Sequence, residues 1–330
     1  MMWMVSCYLS APLPNEHLLS MLARGFDLSG RNDFLHTVRV ISPNVGNMNP
    51  ALLWRPVYWT IASHYIDTVG WDALLQNHTL VPYYLPFLNS SLRAVLIAGS
   101  SELADIKIHP MQQNHIRHAQ HWRWCIDCSQ SDFEQFGTTY WHVNHQIPSM
   151  LICDRHRTPL VSQCDYCGFV YKNLKRHWLP PKDGHCLECK RLTVPQTQRT
   201  VAIYDYLGEI SLGLQAGELQ IVDDSLRHSM RQRIGFDSLP KKSTLAMRKA
   251  NSKLQQKFNE WLPDDLLETY FLKNREHALK PSNPLLKLTS AAYRQRSYPP
   301  LCALLMLIFL ELDQELLGDF FCEGMKGSIA

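Results

Sequence analysis

Eight side chains between Cys125 and Cys189 carry the chemistry visible in this sequence. They form four pairs: Cys125 with Cys128, Cys153 with His156, Cys164 with Cys167, and Cys186 with Cys189. The members of each pair are three residues apart, so a tight turn can aim both donors at one tetrahedral ion. Eight donors fill two four-coordinate sites, one with three thiolates and an imidazole, the other with four thiolates. Neither leaves a position for water or substrate, so the expected cofactors are two structural zinc ions that hold a scaffold and do no chemistry. Two wirings satisfy the spacing. The short link from Arg157 to Gln163, stiffened by Pro159, makes a sequential arrangement the simpler path, with the first two pairs on one metal and the last two on the other. A cross-braced arrangement, in which alternate pairs share an ion, stays open on spacing alone.

A zinc enzyme would need further groups. Deaminases with a C-x-x-C element also require His-x-Glu, which sets a carboxylate beside the metal-bound water. Here Glu16 precedes His17 in the reverse order, far from the cysteines. No H-E-x-x-H segment, phosphate-binding Gly-Lys-Ser/Thr loop or Gly-x-Ser-x-Gly elbow is present. A zinc hydrolase or deaminase is therefore the remote alternative, and no catalytic residue is assigned. His109, His115, His118 and His121 have no matching thiolate pair and read as surface or packing residues, His121 being the nearest to Cys125.

The elements that must carry these donors are mainly helical. With 330 residues, 45% of them hydrophobic, the chain is long enough for two or three domains with sizeable cores. We expect an N-terminal helix-turn-helix-like helical domain (1–108), a central tandem zinc-binding module (109–195) and a C-terminal helical domain (196–330). Asn15 can cap a first helix whose Leu18, Leu19, Leu22 and Phe26 share a face, and a second short helix follows over 32–40. Trp54, Tyr58, Trp59 and Tyr65 have near-helical spacing, and Pro56 requires the helix to begin there or kink. The run containing Pro82, Tyr83, Tyr84, Pro86 and Phe87 reads as an extended strap. Inside the module, Phe133, Phe136, Tyr140, Trp141, Ile147, Met150 and Leu151 supply a small core that metal ligation completes. Beyond a linker over 193–200, Ile203, Leu207, Ile210 and Leu214 form one helical face. The apolar run Leu301–Leu310 stops at Glu311, about half of the ~20 residues that span a bilayer, and reads as a buried helix. Met1 to Leu9 lacks a basic n-region and does not read as a signal peptide. Seven of the ten cysteines belong to the pairs, which suits a reducing cytoplasm better than a disulfide framework.

Charge is distributed unevenly. The chain carries a net +3, yet between Arg227 and Lys257 nine Lys or Arg residues face one acid, Asp237. Such a local excess favours a polyanion, DNA or RNA, over a plain solvated face. Arg231, Arg233, Lys241, Lys242, Arg248, Lys249, Lys253 and Lys257 are the candidate nucleic-acid contacts. Ser243 can cap a helix that turns Leu245, Met247, Leu254 and Phe258 inward and the cations outward. A short helix, a turn and this basic helix would suit a second helix-turn-helix. In the second zinc loop, Lys172, Lys175 and Arg176 interleave with Tyr166, Phe169, Tyr171 and Trp178, a pattern that could stack bases or simply shield the thiolates.

These pieces resemble the TniQ/TnsD family, the target selectors of a class of bacterial cut-and-paste transposons. The resemblance rests on PLPNEHLLSMLARGFDLSG (Pro12 to Gly30), HTLVPYYLPF (His78 to Phe87), RWCIDC (Arg123 to Cys128) and YWHVNHQIPSMLICDRHRTPL (Tyr140 to Leu160). It covers roughly the first 190 residues, the remainder matching only in helical character. It implies a non-catalytic role in bacterial DNA transposition: marking the integration site and recruiting an AAA+ regulator ATPase. Long members of the family read a specific DNA sequence through an extended C-terminal part. Shorter ones dock on an RNA-guided CRISPR effector complex, often as a homodimer. The chain is expected to be one without the long extension, which favours the adaptor, while its basic segment favours direct contact with target DNA. No membrane partner is expected.

Overall fold

A computed structural model describes residues 9–41, 48–50, 52–109, 115–194, 202–219, 221, 223–235, 244–294 and 297–313. The first part contains α1 (Leu18–Leu28), α2 (Phe34–Ile41), α3 (Pro56–Ala62), α4 (Ile66–Val69), α5 (Trp71–His78), α6 (Val81–Tyr84) and α7 (Ser90–Ala98). A single longer helix, α8 (Ile126–Phe136), opens the cysteine-rich region. The last part holds α9 (Ala202–Ala216), α10 (Asp223–Ile234), α11 (Leu245–Trp261), α12 (Asp264–Tyr270), α13 (Arg275–Ala278), α14 (Leu288–Tyr293) and α15 (Pro300–Phe309). The protein is mainly helical. Among the described residues there is no strand, only isolated antiparallel bridges between loops, and no helix is long and apolar enough to cross a membrane.

The first helix starts differently from the sequence expectation. His17, not Asn15, caps α1, its Nδ1 accepting from the Leu19 amide at 3.1 Å. Asn15 cannot serve because its backbone is left-handed (φ 56°) and its side chain is used elsewhere, on Asn144. Burial holds the His17 imidazole neutral, with its pKa lowered to about 3 by desolvation and by Arg55 and His78. Glu16, fully buried, accepts two hydrogen bonds from the Arg24 guanidinium at 3.0 and 2.8 Å and one from the Leu13 amide. The aromatic run behaves as its proline demands. Pro56 occupies the first turn of α3, where the missing N–H costs nothing. Pro82 and Pro86 do the same for α6 and the 3-10 turn at Leu85–Phe87. The expected extended strap is therefore a pair of buried helical turns.

One buried apolar set runs from Leu18 to Leu312, through all three parts of the chain. Its α9 wall buries Ile203, Leu207, Ile210 and Leu214, and α15 is buried along most of its length. Ser149 is a joint of this core. Its hydroxyl meets Ser211 of α9 at 2.6 Å and Tyr83 of α6 at 3.3 Å, while its carbonyl accepts from Tyr270 of α12 at 3.0 Å. Residues 140–150 thus touch both the N-terminal and the C-terminal helices.

Two stability predictions follow from the start of α1. Arg24→Met leaves the Glu16 carboxylate buried and unpaired, and should cost about 3–5 kcal/mol in urea unfolding; Glu16→Leu with Arg24→Met should recover much of that loss. For His17, the folded pKa lies below the unfolded 6.5, so its stability is present at neutral pH and lost as pH falls from 6.5 towards 3. A His17→Asn variant keeps a capping side chain and should show a flatter decline in melting temperature over that window.

Candidate metal centres

Three of the four donor pairs fold as the same tight turn. The amide of the first ligand donates to a carbonyl five residues on: Cys153 to Thr158 at 2.7 Å, Cys164 to Phe169 at 2.8 Å, Cys186 to Arg191 at 2.8 Å. The residue after the second ligand then takes a left-handed backbone: Arg157 (φ 57°), Gly168 (φ 69°) and Lys190 (φ 61°). Only the middle turn gives that position to glycine. The first pair departs from the expected turn, because Cys125 is the N-cap of α8 and Cys128 lies in its first turn. The positive end of a helix favours thiolate there.

The donors converge in chain order. Cys125, Cys128, Cys153 and His156 form one group and Cys164, Cys167, Cys186 and Cys189 another, each with its ligand atoms within 4.8 Å of one another. This is the sequential wiring. In the first group His156 Nδ1 lies 3.7, 3.2 and 3.8 Å from the sulfurs of Cys125, Cys128 and Cys153, and the sulfurs of Cys128 and Cys153 are 3.6 Å apart. In the second, Cys164–Cys189 and Cys167–Cys186 are each 3.7 Å apart. A tetrahedron with Zn–S of ~2.3 Å and Zn–N of ~2.0 Å has edges of ~3.8 and ~3.5 Å. The two groups can therefore each hold a metal ion of zinc's size and taste for sulfur. Sulfurs this close cannot all ionise without a cation between them. Hydrogen bonds from Cys128 and Cys153 hold the Cys125 thiol well below its ordinary range, while the same contacts push Cys128 up.

The surroundings of the two groups differ. In the first, all three cysteines are buried, and Thr158 Oγ1 lies 3.0 Å from the Cys125 sulfur. Arg123, wholly buried with its pKa lowered to about 9 by desolvation, bonds the carbonyls of Ile147 and Met150. Gln146 exchanges two hydrogen bonds with the Arg123 backbone. The chain leading into Cys125 is thus fixed to the chain approaching Cys153. In the second group Cys167 is exposed and Cys189 half-exposed. Of the apolar residues expected to form a local core, Tyr140, Trp141, Ile147, Met150 and Leu151 are buried and Phe136 is half-buried, but Phe133 is exposed under Lys182. Among the described residues the histidines at 109, 115, 118 and 121 join neither group. His118 is buried edge-on to Tyr270, and His115 stacks on His277. Sequence reasoning overlooked His145, whose Nε2 lies beside the first group's sulfurs. No fixed spacing could have marked it, since residues 141–147 follow neither helical nor strand periodicity.

The candidate nucleic-acid contacts are spread over several elements. Lys172 and Lys175 are exposed, whereas Arg176 is paired with Glu188 at 3.0 Å. Trp178 donates to Asp27 and packs edge-on to Phe26, so it serves packing. Arg231 lies over Tyr293 and donates to the Ala292 carbonyl, which ties α10 to α14. Arg233 is exposed. Arg248, Lys249, Lys253 and Lys257 are exposed along α11, and no ion pair involves them among the described residues. Lys241, Lys242 and Ser243 lie outside the described residues. The cap of α11 is Thr244, whose hydroxyl accepts from Met247, and Leu245 points to solvent, not inward. The turn expected between α10 and α11 lies in residues 236–243, outside the described residues.

Fold and sites together define a mainly helical protein with two cysteine-rich, four-donor clusters, each able to hold a metal ion. The family model TniQ matches residues 8–160, which contain the first cluster entire, and over these residues the chain is similar to the TniQ family. It is also 24% identical over 152 residues to the Transposon Tn7 transposition protein TnsD of Escherichia coli, a match covering 44% of this chain and 29% of that protein. The chain therefore spans less than a third of this relative's length.

Burial should make the clusters unequal in solution. Native mass spectrometry of zinc-loaded protein during a chelator titration should show two ions, then one, then none. The first ion should leave the exposed cluster, so that Cys186→Ser removes the early step and leaves the late one.

Proposed function

We propose that this chain is a non-catalytic target-site selector in DNA transposition, holding two structural zinc ions and linking an RNA-guided CRISPR effector complex to an AAA+ regulator ATPase. The observation that carries this reading is the family match over residues 8–160, which joins the N-terminal helices and a complete four-donor cluster in one unit. Protein donors fill every position of both clusters, so neither offers a metal-bound water for hydrolysis or deamination. The zinc ions then serve as cross-links that stiffen a platform between helical regions, which act as an N-terminal domain (1–108), a metal module (109–195) and a C-terminal domain (196–330). The molecule works in the bacterial cytoplasm by holding other macromolecules together, and a homodimer would double its contact points.

A second reading, a sequence-specific DNA binder recruiting the same regulator, is favoured by one observation. The exposed lysines of α11 recur at 249, 253 and 257, and the helix carries no acid before Glu260. Such a stripe can neutralise phosphates.

The two readings differ in what the purified chain does alone. As an adaptor it should be retained by the immobilised effector–guide complex and by the ATPase, and should bind duplex DNA weakly and without sequence preference in gel shifts. Lys249→Glu with Lys253→Glu and Lys257→Glu should leave that retention within about twofold, since salt-sensitive phosphate contacts are not what holds the complex. Nanomolar, sequence-selective duplex binding that the triple variant weakens tenfold or more would establish the second reading instead.

A further inference from the structure

His145 is 2% exposed, and its Nε2 sits 3.5 Å from the sulfur of Cys153 and 3.7 Å from that of Cys128. It is not one of the four converging donors, which already include an imidazole in His156. Its other nitrogen, Nδ1, is buried with no hydrogen-bond partner. A proton on Nδ1 would leave a buried donor unmet, so the tautomer that suits this pocket carries its proton on Nε2, where two sulfurs can accept it. A ring N–H directed at metal-bound thiolates withdraws charge from them and fixes their orientation, as outer-shell donors do at metal sites generally.

The neighbours of His145 lead away from the cluster to the N-terminal helices. The Val143 amide donates to the Asn15 carbonyl at 2.8 Å, and the Asn144 amide to the Asn15 side chain at 3.0 Å. The His17 amide donates to the Trp141 carbonyl at 2.9 Å, and the Trp141 amide to the Ser20 hydroxyl at 2.8 Å. His17 and Ser20 are the cap and first turn of α1. Residues 141–145 therefore touch the metal donors at one end and the start of α1 at the other.

We propose that His145 is a positioning residue of the first metal site, donating through Nε2–H to the Cys128 and Cys153 thiolates and so coupling that site's metal occupancy to the docking of α1. The coupling rests on the metal reading of the first cluster but not on any particular target or partner. Metal held at Cys128 and Cys153 keeps the imidazole in place; the imidazole keeps 143–144 in register with Asn15. Loss of the ion frees the sulfurs, removes the acceptor geometry and loosens the backbone bonds to residues 15–17.

Full-length His145→Gln and His145→Met separate the hydrogen bond from the volume, because Gln retains an N–H near the Nε2 position and Met does not. In protein loaded with ¹¹³Cd, three-thiolate and four-thiolate sites resonate separately. His145→Met should move the three-thiolate signal alone and speed chelator release from that site about tenfold, within the range typical of outer-shell loss, while His145→Gln stays near wild type. Hydrogen exchange should show the amides of His17, Val143 and Asn144 opening when the wild-type first site is stripped, and already open in metal-loaded His145→Met. Identical cadmium signals and release rates in Met and Gln variants would overturn the proposal, as would stripping that leaves those three amides protected. Absence of a three-thiolate signal in the wild type would instead remove the metal reading itself.

Discussion

The backbone clasp between Asn15–His17 and Trp141–Asn144 is the constraint on which the rest of the structure depends. A metal cluster by itself fixes only the residues that ligate it and the turns between them. Here the chain between the first and second ligand pairs is long, and most of it would be free to wander if its middle were not held. Pairing residues 141–144 with the entry to α1 supplies that hold. It also explains why Asn15 is left-handed: the turn brings both its carbonyl and its side chain to face Val143 and Asn144. Glu16 and Arg24 then lock the same turn from beneath, with the Glu16 carbonyl accepting from His78 of α5.

Much of this was legible in the sequence, and the parts that were not share a cause. The eight donors could be read because ligand spacing is local and chemically specific. The apolar face of α1, the start of α3 at Pro56 and the burial of α15 were readable because helical periodicity and proline geometry are also local. What failed depended on distant partners. Asn15 looks like a cap until Asn144 claims its side chain, and His17 takes the cap because its buried neutral ring can accept from the Leu19 amide. Leu245 looks inward on a helical wheel, yet among the described residues the first turns of α11 are mostly exposed and none covers it. Phe133 failed likewise, since the exposed face of α8 is decided by what packs against it. His145 carries no spacing signal, and only the three-dimensional approach of its ring to Cys153 marks it out.

The two clusters differ in how firmly the surrounding structure holds them. The first is buried, fixed by Arg123 and Gln146, bonded by Thr158, and lies within the residues that match the family model. The second lies beyond them, with one thiolate open to solvent. An ion held in the buried cluster would resist exchange, because its release would require the surrounding core to open as well. An ion held in the exposed cluster would brace only its own two turns and the loop between them, and would leave with little disturbance elsewhere. The same division runs through the cations: those near the core, Arg24, Arg123 and Arg231, are consumed by internal bonds, while those on α11 stay in water. Rigidity is thus concentrated where α1, the first cluster and α9 meet. Among the described residues, the surfaces left in water lie at the periphery, on the second cysteine cluster and the first turns of α11.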